Sequence, residues 1–367
     1  MWDFFHFPPY AFGLDISDLS LKIASLQKDK RAFRLTAFGE FPIPEGVIQK
    51  GEIKKQDELV QILRNALSHT KGGKISTKYA VASLPEEQAF LQVIQLPPMK
   101  EEEVSLAIRF EAENYIPYPL DTVYLDSQII SPVHDHLSHV DVLLTSLPKT
   151  IVDSYVQVFK KAGLIPKVLE IESLAVSRAL VKQEVAPTPL LIADIGSTRT
   201  GLSIFSGYGL RFTTSIPLSS EELTNAIAKT LRVERKKAEE FKKRYGLGSR
   251  NSSSSGKEVF EALIPPLTDL MEQIKKYLTY YESHASHQHL SKNIKGVTKI
   301  ILCGGGANLP GLVEFLTKGL HMEVAKGNPW INILPSPLKE IPPLSMEDSL
   351  RYTTALGLAL RGIRDER

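Results

Sequence analysis

The chain has 367 residues, 43% hydrophobic and 23% charged, with Lys+Arg 44 against Asp+Glu 42 and a net charge of +2. That length supports two or more hydrophobic cores, and the balanced charge excludes a global field for nucleic acid. The single cysteine, Cys303, excludes an intrachain disulfide framework and suits a reducing compartment.

The apolar runs are strand-sized, short of the ~20 residues of a membrane span. Residues 1–10 lack the basic region and cleavage site of a signal peptide, so a cytoplasmic location is expected. Trp2, Phe4, Phe5 and Phe7 form an aromatic cluster suited either to docking on a membrane surface or partner, or to packing on the protein itself. Next comes Gly13-Leu14-Asp15-Ile16-Ser17-Asp18-Leu19-Ser20-Leu21-Lys22-Ile23. An apolar run, an Asp, a short turn and an alternating apolar run predict a β-hairpin. Residues 56–68 predict a helix with Leu59, Ile62, Leu63, Ala66 and Leu67 on one face. A Gly/Lys loop follows at 69–77, then strands at 79–84 and 90–96.

A helix over 100–115 opens with Glu101-Glu102-Glu103, which suits a helix N-terminus. It ends before Ile116-Pro117-Tyr118-Pro119, because a residue preceding proline avoids the helical region. Strands are predicted at 124–130 and 140–146, and a helix at 148–162 with Gly163 as its stop. Residues 85–165 thus read as a compact α+β module. The region 190–216 contains Ile192-Ala193-Asp194-Ile195-Gly196-Ser197-Thr198-Arg199-Thr200-Gly201-Leu202, a second copy of the hairpin pattern. Helices are predicted at 220–231 and 234–244, and 248–256, with four consecutive serines, reads as a mobile loop. The longest helix, 259–284, carries Leu263, Leu267, Leu270, Met271, Ile274, Leu278 and Tyr281 on one stripe. A strand at 297–303 runs into Gly304-Gly305-Gly306, a helix starts at Leu312, and a last helix covers 346–361. The mixed order predicts an α/β fold.

The repeated hairpin points to chemistry. Two such hairpins facing each other across a cleft line both sides of a phosphate with hydroxyls and backbone N–H groups. Asp15 and Asp194 are each placed to hold a metal ion or its waters. The Gly304-Gly305-Gly306 turn permits close approach of a ligand and positive φ, ahead of a helix start that favours an anion; alone, it is equally a plain turn. Glu239 and Lys242, three apart on a predicted helix, share a face suited to a ribose and purine, or form part of a solvated charge run. Lys22 is either ligand-facing or an exposed strand lysine. Cys303 reads as a core residue, and His284, His287 and His289 as a solvated helix end rather than a metal site. No Ser/His/Asp or Cys/His nucleophile pattern stands out.

In this order and spacing, both hairpins, the glycine turn and the 238–244 helix resemble the nucleotide site of the actin, heat-shock chaperone and sugar kinase superfamily. Ala355-Leu356-Gly357-Leu358-Ala359-Leu360 resembles its second connecting helix, where small residues let two domains pivot closely. The resemblance narrows to the PilM family of type IV pilus assembly proteins. It is carried by residues 40–51 with a Pro-x-Pro-x-Gly pattern and by Phe110-Glu111-Ala112-Glu113-Asn114-Tyr115-Ile116-Pro117-Tyr118-Pro119-Leu120. It continues in His139-Val140-Asp141-Val142-Leu143-Leu144, Ala162-Gly163-Leu164-Ile165-Pro166 and Glu170-Ile171-Glu172-Ser173-Leu174-Ala175. It covers about residues 12 to 362, and Tyr-Ile-Pro-Tyr-Pro is its most specific piece. The chain also resembles the bacterial division protein FtsA.

The resemblance implies an actin-like (ribonuclease H-like) two-lobed fold. Residues 1–11 would be an aromatic tail, 12–84 and 166–189 the first lobe, 85–165 an inserted subdomain, 190–340 the second lobe, and 341–367 a helix returning to the first. It implies ATP and Mg2+ as cofactors. Asp15 would sit near metal and phosphates, Ser20 and Lys22 would touch the β-phosphate region, and Ser17 and Asp18 would belong to the same nucleotide-binding set. Asp194, Gly196, Ser197 and Thr198 would surround the γ-phosphate and metal. Glu239, Lys242 and Lys243 would hold ribose and base, and Gly304, Gly305, Gly306 and Asn308 the adenosine. No catalytic residue is implied, and weak or absent hydrolysis is expected. The usual first loop reads Asp-Ile-Gly-Ser; here Ser17 adds a side chain and Asp18 a like charge near phosphate.

The implied partner is the cytoplasmic N-terminal tail of a PilN-like inner-membrane protein, in an apolar groove walled by Phe90, Phe110, Tyr115 and Tyr118. Pilus motor and platform proteins, self-association, and recruitment to the inner face of the membrane without a span are also expected, in a pilus or related type II secretion machine. Two alternatives are an FtsA-like filament-forming ATPase and a small-molecule kinase. Against them stand a short charged end at 361–367 and the lack of an acceptor-binding motif.

Overall fold

The computed structural model describes residues 10–29, 32–130, 139–248, 253–284, 296–335 and 341–364. The aromatic cluster at Trp2, Phe4, Phe5 and Phe7, together with His287 and His289, lies outside the described residues.

The first lobe begins with β1 (Phe12–Ile16), β2 (Ser20–Asp29) and β3 (Ala32–Pro42), then the short pair β4 (Ile48–Gln49) and β5 (Glu52–Ile53). Helix α1 (Gln56–Ser68) and β6 (Tyr79–Leu84) follow. The inserted module holds β7 (Phe90–Leu96), α2 (Glu101–Tyr115), β8 (Val123–Ile130) and β9 (Val140–Pro148). The chain returns through α3 (Lys149–Ala162), β10 (Ile165–Ile171) and α4 (Glu172–Leu180). The second lobe opens with β11 (Ala186–Ile195), β12 (Thr200–Gly207) and β13 (Gly209–Ile216). Helices α5 (Ser220–Leu231), α6 (Arg235–Tyr245) and α7 (Ser254–His284) lead to β14 (Lys299–Cys303), α8 (Leu312–Leu320) and β15 (Glu323–Lys326). Helices α9 (Met346–Leu350) and α10 (Thr353–Ile363) end the described chain.

The two lobes repeat one sheet plan. Their strand orders are β10-β6-β1-β2-β3 and β13-β12-β11-β14-β15. In each, an antiparallel meander is followed by two parallel strands, and the Asp-bearing strand is central. Parallel neighbours need crossovers, supplied by α1 and α3 in the first sheet and by the α5–α7 group and α8 in the second. The first core packs Phe12, Leu14, Ile16, Leu21 and Ile23 against Leu59 and Leu63 of α1 and Tyr155, Val158 and Phe159 of α3. The second packs Leu191, Ile192, Leu202 and Ile204 against the stripe on α7 read from the sequence. Helix α10 covers the other face of β1 and β2 and lies against α4.

The inserted module has its own core: Ile94, Leu96, Val142 and Leu144 from the sheet β7-β9-β8, and Val104, Ile108 and Ala112 from α2. After Pro148, the apolar face of α3 packs into the first-lobe core. Strand β11 starts at Ala186, and Trp330 and Ile333 already pack with Ala24, Leu26 and Leu35 of the first lobe. The serine run is not loop throughout. Gly256 N donates to Ser253 Oγ at 3.0 Å and Lys257 N to Ser253 O at 3.0 Å, so α7 starts inside the run. The last helix divides at Arg351–Tyr352 into α9 and α10.

Candidate nucleotide site

The β1–β2 register places Lys22 opposite Asp15. Lys22 Nζ lies 3.5 Å from Asp15 Oδ2 and donates to Ser20 Oγ at 2.7 Å. Lys22 therefore faces inward, not to solvent. Ser83 of β6 donates to Asp15 Oδ1 at 3.3 Å and accepts Ile16 N at 3.0 Å, fixing the carboxylate from behind. Ser17 closes its own turn, with N to Ser20 O at 2.9 Å and Oγ 3.0 Å from Ser20 Oγ.

The second hairpin presents Asp194 at the matching point of β11. Gly196 N donates to Arg199 O at 2.9 Å, and Ser220 N at the start of α5 to Gly196 O at 2.9 Å. The glycine turn is seated directly on this strand. Gly304 has φ +79°, and a Cβ there would lie 2.3 Å from Asp194 Oδ1; one at Gly306 would lie 2.3 Å from Ile195 Cγ2. A Cβ at Gly305 would meet open space, so this glycine leaves bare backbone on the cleft wall.

These elements enclose a cleft of about 360 Å³. It gathers Asp15, Ser17, Ser20, Lys22, Asp194, Gly196, Ser197, Thr198, Glu239, Lys243, Gly304, Gly305 and Gly306. Three expected residues do not line it. Asp18 does not line the cleft: its carboxylate accepts Lys50 N and Gly51 N, each at 3.0 Å. Lys242 is buried behind Glu239, where it donates to Ser220 O at 2.8 Å and Thr224 Oγ1 at 2.7 Å; it faces an adjoining hollow and ties α5 to α6. Asn308 is occupied by Glu347 O at 2.7 Å and Lys326 Nζ at 3.3 Å.

The sequence reading missed Glu86, Glu172 and Arg199. Glu86 and Glu172 line the cleft floor, and Arg199 lies beside them. Arg199 Nη2 donates to both oxygens of Glu172 at 3.1 Å, and Nη1 is 2.5 Å from Glu87 Oε1. Arg199 stands inside the second hairpin motif, but the acids it pairs with come from distant segments.

Burial pushes the Asp194 carboxyl up to about 6, and the Asp15 charge adds to this against Lys22 and Arg199. Burial lifts Glu172 to about 8 despite Arg199. Burial acts on Glu239 in the same sense, but hydrogen bonds from Lys242 and Thr224 outweigh it and bring the group to about 2. Burial pushes Lys242 down despite its partner. The Cys303 thiol is buried and raised by burial and by Asp194 beside it, as befits a core residue.

Among the described residues no three His, Cys, Asp or Glu side chains form a metal cluster. Asp15 and Asp194 nonetheless fit Mg2+, which takes one or two carboxylates and completes its shell with phosphate oxygens and waters. Burial is the main cause of the raised Asp194 carboxyl and the nearby Asp15 charge adds to it, and a divalent cation held there would favour the ionised form.

The sequence matches the family described as type IV pilus assembly protein PilM over residues 13–363. The structure resembles a solved PilM–PilN type IV pilus biogenesis complex with a TM-score of 0.79 and 27% identity, covering 97% of this chain and 99% of that one. MreB5 of Spiroplasma citri bound to ADP has a TM-score of 0.54 and 14% identity over 95% of this chain and 94% of its own, which shows a shared fold. The cell division protein FtsA of Pseudomonas aeruginosa is 23% identical over 223 residues, 56% of this chain and 50% of its own length. FtsA of Streptococcus pneumoniae is 27% identical over 182 residues, 47% of this chain and 39% of its own length. This chain thus spans half or less of these curated relatives. The fold is actin-like, and the chain belongs to the PilM family of type IV pilus assembly proteins.

Proposed function

We propose that this protein is an ATP-binding scaffold of a type IV pilus assembly complex, and that it receives the cytoplasmic N-terminal tail of a PilN-like membrane protein. The observation that carries the nucleotide reading is the convergence of Asp15, Lys22, Asp194 and the bare backbone at Gly305 on one cleft. Mg2+, when bound, would supply positive charge to offset that of the phosphates. Asp15 and Asp194 would hold the ion or its waters. Lys22 and the hydroxyls of Ser17, Ser20, Ser197 and Thr198 would face the phosphates. Glu239, kept ionised by Lys242 behind it, is suited to accept from ribose hydroxyls, with Lys243 beside it at 3.2 Å.

For the partner, Phe110 is 80% exposed, Tyr118 49% and Tyr115 37%. Phe90 packs partly into the module core, which leaves the other three as the candidate face, joined by Leu106 at 67% exposure. A PilN-like partner would draw the chain to the membrane. Among the described residues no helix is long and apolar enough to cross one.

The test is thermal unfolding with and without Mg-ATP, beside an Asp194→Ala variant. Saturation at a hundredfold excess over Kd should add about 2.7 kcal/mol. The shift should vanish in the variant. Absence of any shift in the native protein would sink the nucleotide reading.

A further inference from the structure

The turn Glu86–Gln88 leads from β6 of the first lobe into β7 of the inserted module. Each of its three side chains grips a different element. Glu86 Oε2 accepts Ser173 N at 2.8 Å, capping the first turn of α4. Glu87 Oε1 meets Arg199 Nη1 at 2.5 Å, and the Arg199 carbonyl closes the second hairpin turn on Gly196 N at 2.9 Å. Gln88 Nε2 donates to Lys50 O at 2.8 Å.

That last contact leads back to the first hairpin. Lys50 and Gly51 are the residues whose N–H groups Asp18 accepts. Gly51 sits at φ +75°, and a Cβ there would lie 2.3 Å from Pro85 Cβ and 3.0 Å from Glu87 Oε1. The Asp18-held turn is therefore packed directly on the 86–88 turn. Tyr155 OH donates to Gly51 O at 3.0 Å and anchors it from below.

We infer that the Glu86–Gln88 turn couples occupancy of the cleft to the inserted module. Asp18 acts through the Lys50–Gly51 turn and Arg199 acts through Glu87. A ligand held between the hairpin turns changes their separation. Both arms end on residues 86–88, so a change in separation must be taken up there and passed to β7. A ligand shifts such an equilibrium only through contacts that differ between two states. Here the difference is the spacing of the Asp15 and Asp194 turns. The inference rests on the nucleotide reading above and adds a direction of transmission to it. It also gives Asp18 a task that its position in the first hairpin alone did not suggest.

The experiment uses the full chain and two readouts: thermal unfolding for occupancy, and amide hydrogen exchange for residues 86–96. Mg-ATP should raise the unfolding temperature of the native protein and slow exchange in 86–96. Glu87→Gln removes one arm and Gln88→Ala the other, and neither residue lines the cleft. Each variant should keep the thermal shift while its 86–96 response falls about fivefold or more. A native protein that shifts thermally with no change in 86–96 overturns the coupling and leaves ATP binding standing. So do variants that respond as the native protein does. No thermal shift in the native protein overturns both readings.

Discussion

Gly357 of α10 faces the carbonyl oxygen of Ala175 on α4 with no space for a side chain: a Cβ at residue 357 would lie 1.9 Å from that oxygen. Gly13 is equally confined on the other side of α10, where a Cβ would lie 2.1 Å from Ala355 O. These contacts set how closely α10 can approach α4 and β1. Gly357→Ala must push two backbones apart, and overpacking of this kind costs about 1–3 kcal/mol. Urea unfolding should show the loss in midpoint. A variant as stable as the native protein would mean that α4 and α10 slide apart freely.

Asp141 of β9 and Arg211 of β13 form a buried ion pair between the inserted module and the second lobe. Gln95 Nε2 at 3.3 Å and His139 Nε2 at 3.2 Å also reach Asp141 Oδ1. Removing one partner strands a buried charge, so Asp141→Leu alone should cost about 3–5 kcal/mol. The double variant Asp141→Leu with Arg211→Met removes both charges and should recover most of that. A double-mutant cycle in chemical denaturation measures it; additive losses would show that the two side chains do not act as a pair.

Glu239 gives a pH signature. Its carboxyl lies at about 2 in the folded protein against an ordinary 4.5. A depressed carboxylate stabilises the fold above the unfolded value and loses that contribution as pH falls through the folded value. The stability gap between the native protein and Glu239→Gln should be constant above pH 5 and close as pH drops from about 4.5 toward 2. The side chain is 36% exposed, so solvent screening reduces the gap. A gap independent of pH in denaturant titrations would mean that Lys242 and Thr224 do not hold the charge.

The hairpins were legible because their information is local. Two-residue alternation and an Asp before a short turn specify a strand end, and the register then sets Lys22 against Asp15. The helical stripe on α7 was legible for the same reason. What the sequence did not reveal depends on distant partners. Asp18 reads as a phosphate-side charge until Lys50 and Gly51 bring their N–H groups to it, 32 and 33 residues away. Lys242 has the spacing of a ligand pair with Glu239, but only the packing of α5 shows which of the two is buried. The apolar face of α3 announces a helix without saying which core receives it. Arg199 was in plain view, yet Glu87 stands just before β7 of the inserted module and Glu172 opens α4 well after it.

The face of α2 supplies the last prediction. Leu106 and Phe110 are four residues apart on its exposed side, while Val104, Ile108 and Ala112 fill the module core. Residues at this spacing stand together on a helix surface, so one side of α2 builds the module and the other is exposed. Leu106→Ser with Phe110→Ser removes exposed apolar surface only, and folding stability should change by about 0.5 kcal/mol or less. Ile108→Ser, between them in sequence, opens the core and should cost about 2–5 kcal/mol. Binding of a labelled N-terminal peptide from a PilN-like protein, followed by fluorescence polarisation, should weaken about tenfold or more in the surface double variant, equivalent to about 1.4 kcal/mol. If the double variant binds the peptide as tightly as the native protein does, the tail docks elsewhere, and Tyr115 and Tyr118 become the next residues to replace.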